Sequence, residues 1–216
     1  MRINDYSQLP VMSTVWQVEG WVSWKSIGLA GGTCRFIRDC IDDQVVKLWD
    51  DYPLLDAVAT ISEKEVVLIQ SRNTKEIIGL VTISDLVDHY HSLAEPFLLI
   101  GEIENYIRQL ISRGNFAIEI LRGAKDPNDD RRKIESVSDL SLGECVRFLD
   151  IPEHWIAIQI KELKKEPILE RLHKVIDIRN RVMHFDPDLS SGEADSKRKD
   201  LSTLRSTDRF LGSLKP

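Results

Sequence analysis

Three polar residues near the end of one helical segment have the types and spacing for chemistry on a phosphodiester. They are Arg179, Asn180 and His184, within the run Arg-Asn-Arg-Val-Met-His at 179–184. A histidine titrates near neutral pH and can take the proton of a ribose 2′-hydroxyl. An arginine can hold a phosphate through two hydrogen bonds and stabilise the charge that develops on it. Asn180 is the third polar side chain of this group, and proton transfer combined with anion binding needs no metal or other cofactor.

The segment that must position these residues is predicted to be a long helix, from Pro167 to about Met183. Proline is favoured in the first turn of a helix. At about 100° per residue, the apolar side chains of this segment form one stripe. Arg179 falls in the centre of that stripe, whereas Asn180 and His184 share the adjoining flank.

An arginine among apolar side chains is costly unless it is paired or reaches solvent. Three explanations for Arg179 follow. The first is a structural ion pair, for which Glu102 and Glu104 on an earlier helix are candidates. The second is that its aliphatic stem carries the guanidinium to the surface. The third is that it stands at an interface or cleft and binds an anion such as phosphate. The position of Arg179 alone leaves all three open.

The Arg-polar-x3-His pattern, followed by Phe185-Asp186-Pro187, lies in a segment that is almost all helical. In this it resembles the HEPN family. The resemblance implies a helical bundle that dimerises, so that two motif helices form a composite site from Arg179, Asn180 and His184. In many members it also implies metal-independent endoribonuclease activity on RNA. Because other members are non-catalytic, the alternative is a ligand-binding and dimerisation or interaction protein.

Before residue 95 the pattern is mixed, with short strands and short helices. Residues 65–70 and 77–82 are predicted strands joined by a turn, and Ser84 is a plausible N-cap for a helix over 85–93. An earlier segment repeats this order weakly when Gly20 is aligned with Gly79. We interpret this as an internal repeat with a period of about 60 residues.

The segment Gly-Leu-Val-Thr-Ile-Ser-Asp at 79–85 matches a Gly-h-h-Thr-x-x-Asp pattern. Together the two copies resemble a tandem pair of CBS domains. The resemblance implies an adenosine nucleotide (AMP, ADP or ATP) bound at Thr82, Ser84 and Asp85, where a helix start offers free N–H groups to phosphate. The competing explanation is that Ser84 and Asp85 cap the helix. The first copy carries Ser26 at the Asp position and lacks a leading helix, so one nucleotide site is expected.

The predicted fold class is therefore α+β: N-terminal CBS-type α/β modules followed by an all-α HEPN-like bundle. The predicted domains are 1–95 and 96–216, with a mobile linker at about 186–196. Expected partners are a second copy of the chain, an adenosine nucleotide and RNA.

Composition excludes several other classes. The net charge is −6. Residues 1–100 hold 8 Lys+Arg against 14 Asp+Glu, so the first half of the chain is poorly suited to binding a polyanion. Two basic clusters, 131–133 and 197–199, are typical of solvated loops, with a nucleic-acid contact the less common alternative. There is no long apolar run or apolar leader and no Cys-x2-Cys pair. We therefore expect a cytoplasmic protein without membrane or zinc, with its three cysteines as free thiols.

Overall fold

The computed structural model describes residues 1, 6–160, 163–184 and 193–214, except for the side chains of 184, 193 and 194. The fold is α+β, with a β-rich N-terminal part followed by a helical C-terminal region. Two compact units, 1–91 and 92–216, are described separately below. The elements are β1 Gln8–Met12, β2 Val18–Ser23, α1 Trp24–Leu29, β3 Lys47–Trp49, α2 Leu54–Lys64, β4 Val66–Gln70, β5 Ile77–Thr82, α3 Ile83–Arg113, α4 Ile118–Gly123, α5 Leu142–Asp150, α6 Pro152–Ala157, α7 Lys165–His184 and α8 Glu193–Gly212.

The N-terminal unit contains two small sheets. Strands β1 and β2 form an antiparallel hairpin, and β4 pairs in parallel with β3 and antiparallel with β5. Gly20 lies opposite Val11 in the first hairpin, and Gly79 lies opposite Ile69 in the second. Each hairpin leads directly into a helix, α1 or α3. The strand, Gly, strand, helix order that was aligned in the sequence is thus present in both copies.

The two aligned glycines have different surroundings. Gly20 has φ +155°, and a Cβ built on it would collide with the carbonyl oxygen of Asp42 and the side chain of Ile41. Two backbone hydrogen bonds of 2.8 Å between Trp21 and Asp42 hold this close approach. A Cβ on Gly79 would meet nothing within 4 Å. The first copy therefore requires glycine for space, whereas the second does not.

Gly20→Ala should destabilise the protein by about 2 kcal/mol or more, because the added methyl group meets backbone that cannot move without breaking the Trp21–Asp42 bonds. Gly79→Ala is the matched control and should leave stability nearly unchanged. Urea denaturation followed by circular dichroism measures both variants. Equal midpoints for the two would contradict the packing described at Gly20.

The helical unit encloses one apolar core. Helix α5 packs against α6 and α7, and α7 packs against α8. The deepest core side chains come from α3, α5, α7 and α8 and are each at most 1% exposed: Ile103, Ile107, Ile111, Phe148, Leu149, Leu172, Val175 and Leu204. Helix α5 begins at the predicted capping box, in which Ser141 accepts from the N–H of Glu144 and the Glu144 carboxylate accepts from the N–H of Ser141.

Helix α3 is one continuous helix of 31 residues, with Pro96 inside it. The sequence predicted a helix over 85–93 and a change to an almost all-helical pattern near residue 95, and proline inside a helix is disfavoured by about 3 kcal/mol. Apolar side chains on both sides of Pro96 offset this cost: Leu86 is buried in the core of the N-terminal unit, and Ile100 in that of the helical unit. The predicted domain boundary near residue 95 lies within α3.

The cysteines differ from expectation at one pair. Cys34 and Cys40 form a disulfide with a Cα–Cα distance of 5.8 Å, whereas Cys145 is free and buried. The carboxylate of Asp39 accepts from the N–H groups of Arg35 and Phe36, which folds this short loop back on itself. The expectation of free thiols was wrong for this pair because it considered only the number and spacing of the cysteines.

Among the described residues, no helix combines the length and the apolar character needed to span a bilayer. The predicted linker at about 186–196 falls mostly outside the described residues, and its last four positions, 193–196, belong to α8.

Candidate functional site

Helix α7 carries the Arg-Asn-x3-His motif in its last turns. It begins at Lys165, two residues before the predicted start, and ends at His184. Its buried face is wider than the apolar stripe that the sequence predicted. Leu169 and Ile178, which flank that stripe on the helix, are also buried. Contacts with both α5 and α8 account for that width. The motif thus stands on a helix that is fixed on more than one side.

Arg179 is paired with a carboxylate of α3. Its Nε lies 3.5 Å from Oε1 of Glu104, whose Oε2 accepts a hydrogen bond of 3.2 Å from Nη2 of Arg108. Arg108 also donates to the carbonyl of Leu140 at 3.0 Å. Glu104, one of the two carboxylates considered for Arg179, therefore stands between two arginines.

The pair leaves part of the Arg179 guanidinium available. Its side chain is 37% exposed, although Nε is buried and has no hydrogen-bond partner among the described residues. The exposure therefore belongs to other atoms of the side chain. Nε faces Glu104, and the remaining N–H donors are candidates to hold an anion. Arg179 can thus form the ion pair with Glu104 and bind an anion through its other donors.

The other motif positions lie in the same stretch of α7. Asn180 is exposed. Arg181 donates a hydrogen bond of 2.7 Å from Nη2 to Oδ2 of Asp200, which ties this stretch to α8. His184 is the last residue of the helix, and its side chain lies outside the described set. The structure therefore brings Arg179 and Asn180 together at one end of α7, without describing the imidazole.

The second candidate site lies where β5 meets α3. The carboxylate of Asp85 accepts from the N–H and the hydroxyl of Thr82, at 2.8 and 2.7 Å, and Thr82 accepts from the N–H of Asp85 at 3.3 Å. These bonds from the Thr82 N–H and hydroxyl lower the pKa of Asp85. Thr82 is thus the capping residue, and the expectation that Ser84 is the N-cap was wrong because the helix starts one residue before it, at Ile83.

Capping of α3 uses only one oxygen of the Asp85 carboxylate. Both Thr82 bonds go to Oδ2 of Asp85, and Oδ1 makes no hydrogen bond within the described part of the chain. Ser84 and Asp85 are exposed in the first turn of α3. Capping therefore occupies Oδ2 and leaves Oδ1 of this carboxylate for another donor.

Glu144 is a buried charge whose partner sequence reasoning missed. It is 1% exposed and accepts from two nitrogens of Arg132, at 2.7 and 3.1 Å, and from the N–H of Asp126, at 2.8 Å. Burial raises the pKa of Glu144, but hydrogen bonds from Arg132, Ser141 and Asp126 outweigh it and lower the pKa to about 2. The capping box identified Glu144, but nothing in the spacing identified Arg132.

Two other kinds of chemistry find little support in the described residues. They contain no group of three or more histidine, cysteine, aspartate or glutamate side chains placed to hold a metal ion. Burial raises the pKa of the Cys145 thiol to about 12. Since the thiolate is the nucleophilic form, Cys145 is a core residue.

Comparison with known proteins adds little. No protein-family model matches the chain, and no curated protein matches it. Among solved structures it is similar to Staphylococcus aureus OpuCA, with 21% sequence identity and a TM-score of 0.37. That match covers 42% of this chain and 78% of the other. Similarity at this level carries no argument about fold or function.

Proposed function

We propose that the helical unit is a metal-independent endoribonuclease that acts as a homodimer. The observation that carries the proposal is Arg179: its Nε is directed at Glu104, while part of its side chain remains exposed in the same stretch of α7 as exposed Asn180. An arginine whose Nε is held by a carboxylate, and whose other N–H donors are accessible, suits phosphate binding. The guanidinium is then oriented before the phosphate binds. His184 belongs to the proposal through the sequence motif.

The proposed reaction is transesterification within RNA. His184 takes the proton of a ribose 2′-hydroxyl, the 2′-oxygen bonds to phosphorus, and the bond from phosphorus to the 5′-oxygen breaks. The leaving oxygen takes a proton from water, and the hydroxide that forms takes back the proton held by His184. The products are a 2′,3′-cyclic phosphate and a 5′-hydroxyl. Arg179 stabilises the charge on the phosphoryl oxygens, and Asn180 orients the scissile group or His184. A second copy of the chain completes the site.

The N-terminal unit is proposed to regulate this activity by binding an adenosine nucleotide. Support comes from the Gly-h-h-Thr-x-x-Asp match at 79–85 and from Oδ1 of Asp85, which capping leaves available. The start of α3 offers backbone N–H groups to a phosphate. Nucleotide binding by CBS-type modules would then change the geometry of the dimer and so the rate of cleavage.

The decisive measurement is cleavage of tRNA and single-stranded RNA by the purified chain, with and without AMP, ADP or ATP. His184→Ala should lower the rate by about a hundredfold or more, because it removes the general base. His173→Ala is the matched control, since His173 is an exposed histidine on the same helix, and it should retain the activity. Light scattering should report the same dimer for both variants.

The product ends give a second check. Fragments should end in 2′,3′-cyclic phosphate whether or not a chelator is present. RNA that stays intact under every nucleotide condition, or equal activity in the two histidine variants, would refute the nuclease proposal.

The alternative is a non-catalytic ligand-binding and dimerisation protein. The ion pair between Arg179 and Glu104 favours it, because the pair gives the inward arginine a structural purpose without any ligand. In that case Arg179→Ala would lower stability, and no RNA would be cleaved by any form of the chain.

A further inference from the structure

A cavity of about 400 Å³ opens beside the C-terminal end of α4. Four of the side chains that line it are cationic and one is a carboxylate: Arg122, Lys125, Arg132, Lys133, Ile134 and Glu135. The sequence around it, from 125 to 135, has as many acidic as basic residues. What distinguishes the cavity is how those charges are distributed in space.

Two acidic residues of this loop, Asp126 and Asp129, are engaged with backbone donors, and Asp129 also pairs with Arg132. Asp126 accepts from the N–H of Asn128, and Asp129 accepts from those of Arg131 and Arg132. Glu144 and Asp129 also bind the guanidinium of Arg132. Of the lining cations, Arg132 is therefore neutralised from within the protein.

The other three cations remain available to a ligand. Arg122 donates from Nε to the carbonyl of Ile134 at 3.2 Å, a neutral partner that leaves its charge uncompensated. The side chains of Lys125 and Lys133 have no hydrogen bond or ion pair in the part of the chain that the structure describes. Three positive charges thus line the cavity against the carboxylate of Glu135, which gives it the character of a phosphate site.

A second hollow, of about 520 Å³, adjoins the first and shares Lys125 with it. Its walls include the exposed aliphatic side chains of Ile120 and Ile151 and the imidazole of His154. That imidazole is stacked on Phe148 with ring centroids 4.0 Å apart, which fixes its plane. Arg147 is also part of the lining. An apolar hollow with a fixed ring suits a nucleobase.

We infer that the two hollows form one subsite for single-stranded RNA, with a phosphate in the cationic cavity and a neighbouring base in the apolar one. Lys125, which lines both, would contact the backbone between them. Phosphate next to base is the repeating unit of a nucleic acid strand, whereas an acidic peptide would use only the cationic half. The inference rests on the proposed RNA substrate and gives that substrate a place to bind away from the motif residues.

The test is binding of a fluorescent single-stranded RNA, measured by anisotropy in the full chain with His184→Ala so that no RNA is cleaved. The double variant Lys125→Glu with Lys133→Glu should weaken binding by about tenfold or more at low salt and flatten its salt dependence. Lys25→Glu with Lys47→Glu is the control, because it makes the same charge change on exposed lysines outside the motif helix and the basic cluster 197–199. Melting curves should confirm that both variants are folded.

Four further outcomes are decisive. Equal loss of affinity in the two double variants would mean that RNA binding depends only on the net charge of the chain, and would overturn the inference. Equal affinity for abasic RNA of the same length, or displacement of RNA by polyglutamate as readily as by unlabelled RNA, would remove the base-binding half and overturn it too. RNA binding that depends on Lys125 and Lys133, without cleavage by the unmodified chain, would refute the nuclease and leave the subsite standing.

Discussion

Glu144→Ala should lower the free energy of unfolding by about 3 kcal/mol, the lower end of the range for a buried ion pair, because Arg132, the partner left behind, is 40% exposed. The carboxylate is 1% exposed and accepts hydrogen bonds from two nitrogens of Arg132 and from the N–H groups of Asp126 and Ser141. Its loss leaves the N–H groups of Asp126 and Ser141 without this acceptor and removes one half of the capping box of α5. The loop before α5 should detach with it, because Arg132 and Asp126 both belong to that loop.

Urea denaturation at neutral pH measures this effect. Glu166→Ala is the matched control, since Glu166 is also a glutamate in the first turn of a helix but is exposed; it should change the midpoint only slightly. Glu144→Gln should fall between the two, because an amide keeps one acceptor oxygen. A Glu144→Ala variant as stable as the Glu166 control would contradict the role assigned to this carboxylate.

The same residue gives stability a defined pH dependence. Its pKa is lowered to about 2 in the folded protein, against about 4.3 for an unperturbed glutamate. A depressed pKa contributes stability that is fully present above the unfolded value and is lost as pH falls towards the folded value. The difference in unfolding free energy between the unmodified chain and Glu144→Gln should therefore shrink steadily below about pH 4.3. A difference that stays constant down to about pH 2 would be inconsistent with this linkage.

The second large effect is expected at Glu104. Glu104→Ala leaves Arg179 and Arg108 facing each other without the carboxylate between them, on a site where all three side chains are at least partly buried. We expect a loss of about 2 kcal/mol, less than for Glu144 because the site is more exposed. Glu170→Ala breaks the exposed i,i+4 pair with Lys174 and serves as the control; its effect should be small.

A double-mutant cycle separates the contributions of the pair. Arg179→Ala and Glu104→Ala should together cost less than the sum of the single changes, because either one alone leaves a charge uncompensated. Additive losses would mean that the 3.5 Å pair contributes nothing. The cycle also bears on the proposed nuclease: if Glu104 positions Arg179, Glu104→Gln should raise KM for RNA more than it lowers kcat.

Where a pattern is local, the sequence predicted the structure well. The capping box at Ser141 and Glu144 and the amphipathic helix with Arg179 turned inward follow from side chains three and four residues apart. The repeated hairpin followed by a helix was found because Gly20 and Gly79 hold equivalent places. Each of these depends on the spacing of neighbours along the chain.

What the sequence did not predict depends on distant neighbours. The choice of Glu104 for Arg179, and of Arg132 for Glu144, needs the packing of separate segments. The predicted helix over 85–93 ended before Pro96, yet α3 continues through that proline to Arg113. At Thr82, the cap moved by two residues because the Asp85 carboxylate folds back to Thr82, and from sequence Ser84 was an equally good acceptor.

Helix α8 completes the helical core, and this has a consequence for how the unit folds. Leu204, Thr207 and Leu211 are at most 2% exposed. Two hydrogen bonds also link the end of the chain to residues far earlier in sequence. Arg205 binds Glu95 across 110 residues, and Arg113 binds the carbonyl of Leu214 across 101. Contacts of such long sequence separation form late, because a long loop must close first. The apolar face of α3 is therefore synthesised well before α8 can cover it. Until α8 has been synthesised, the exposed apolar face of α3 raises the tendency of the incomplete unit to aggregate.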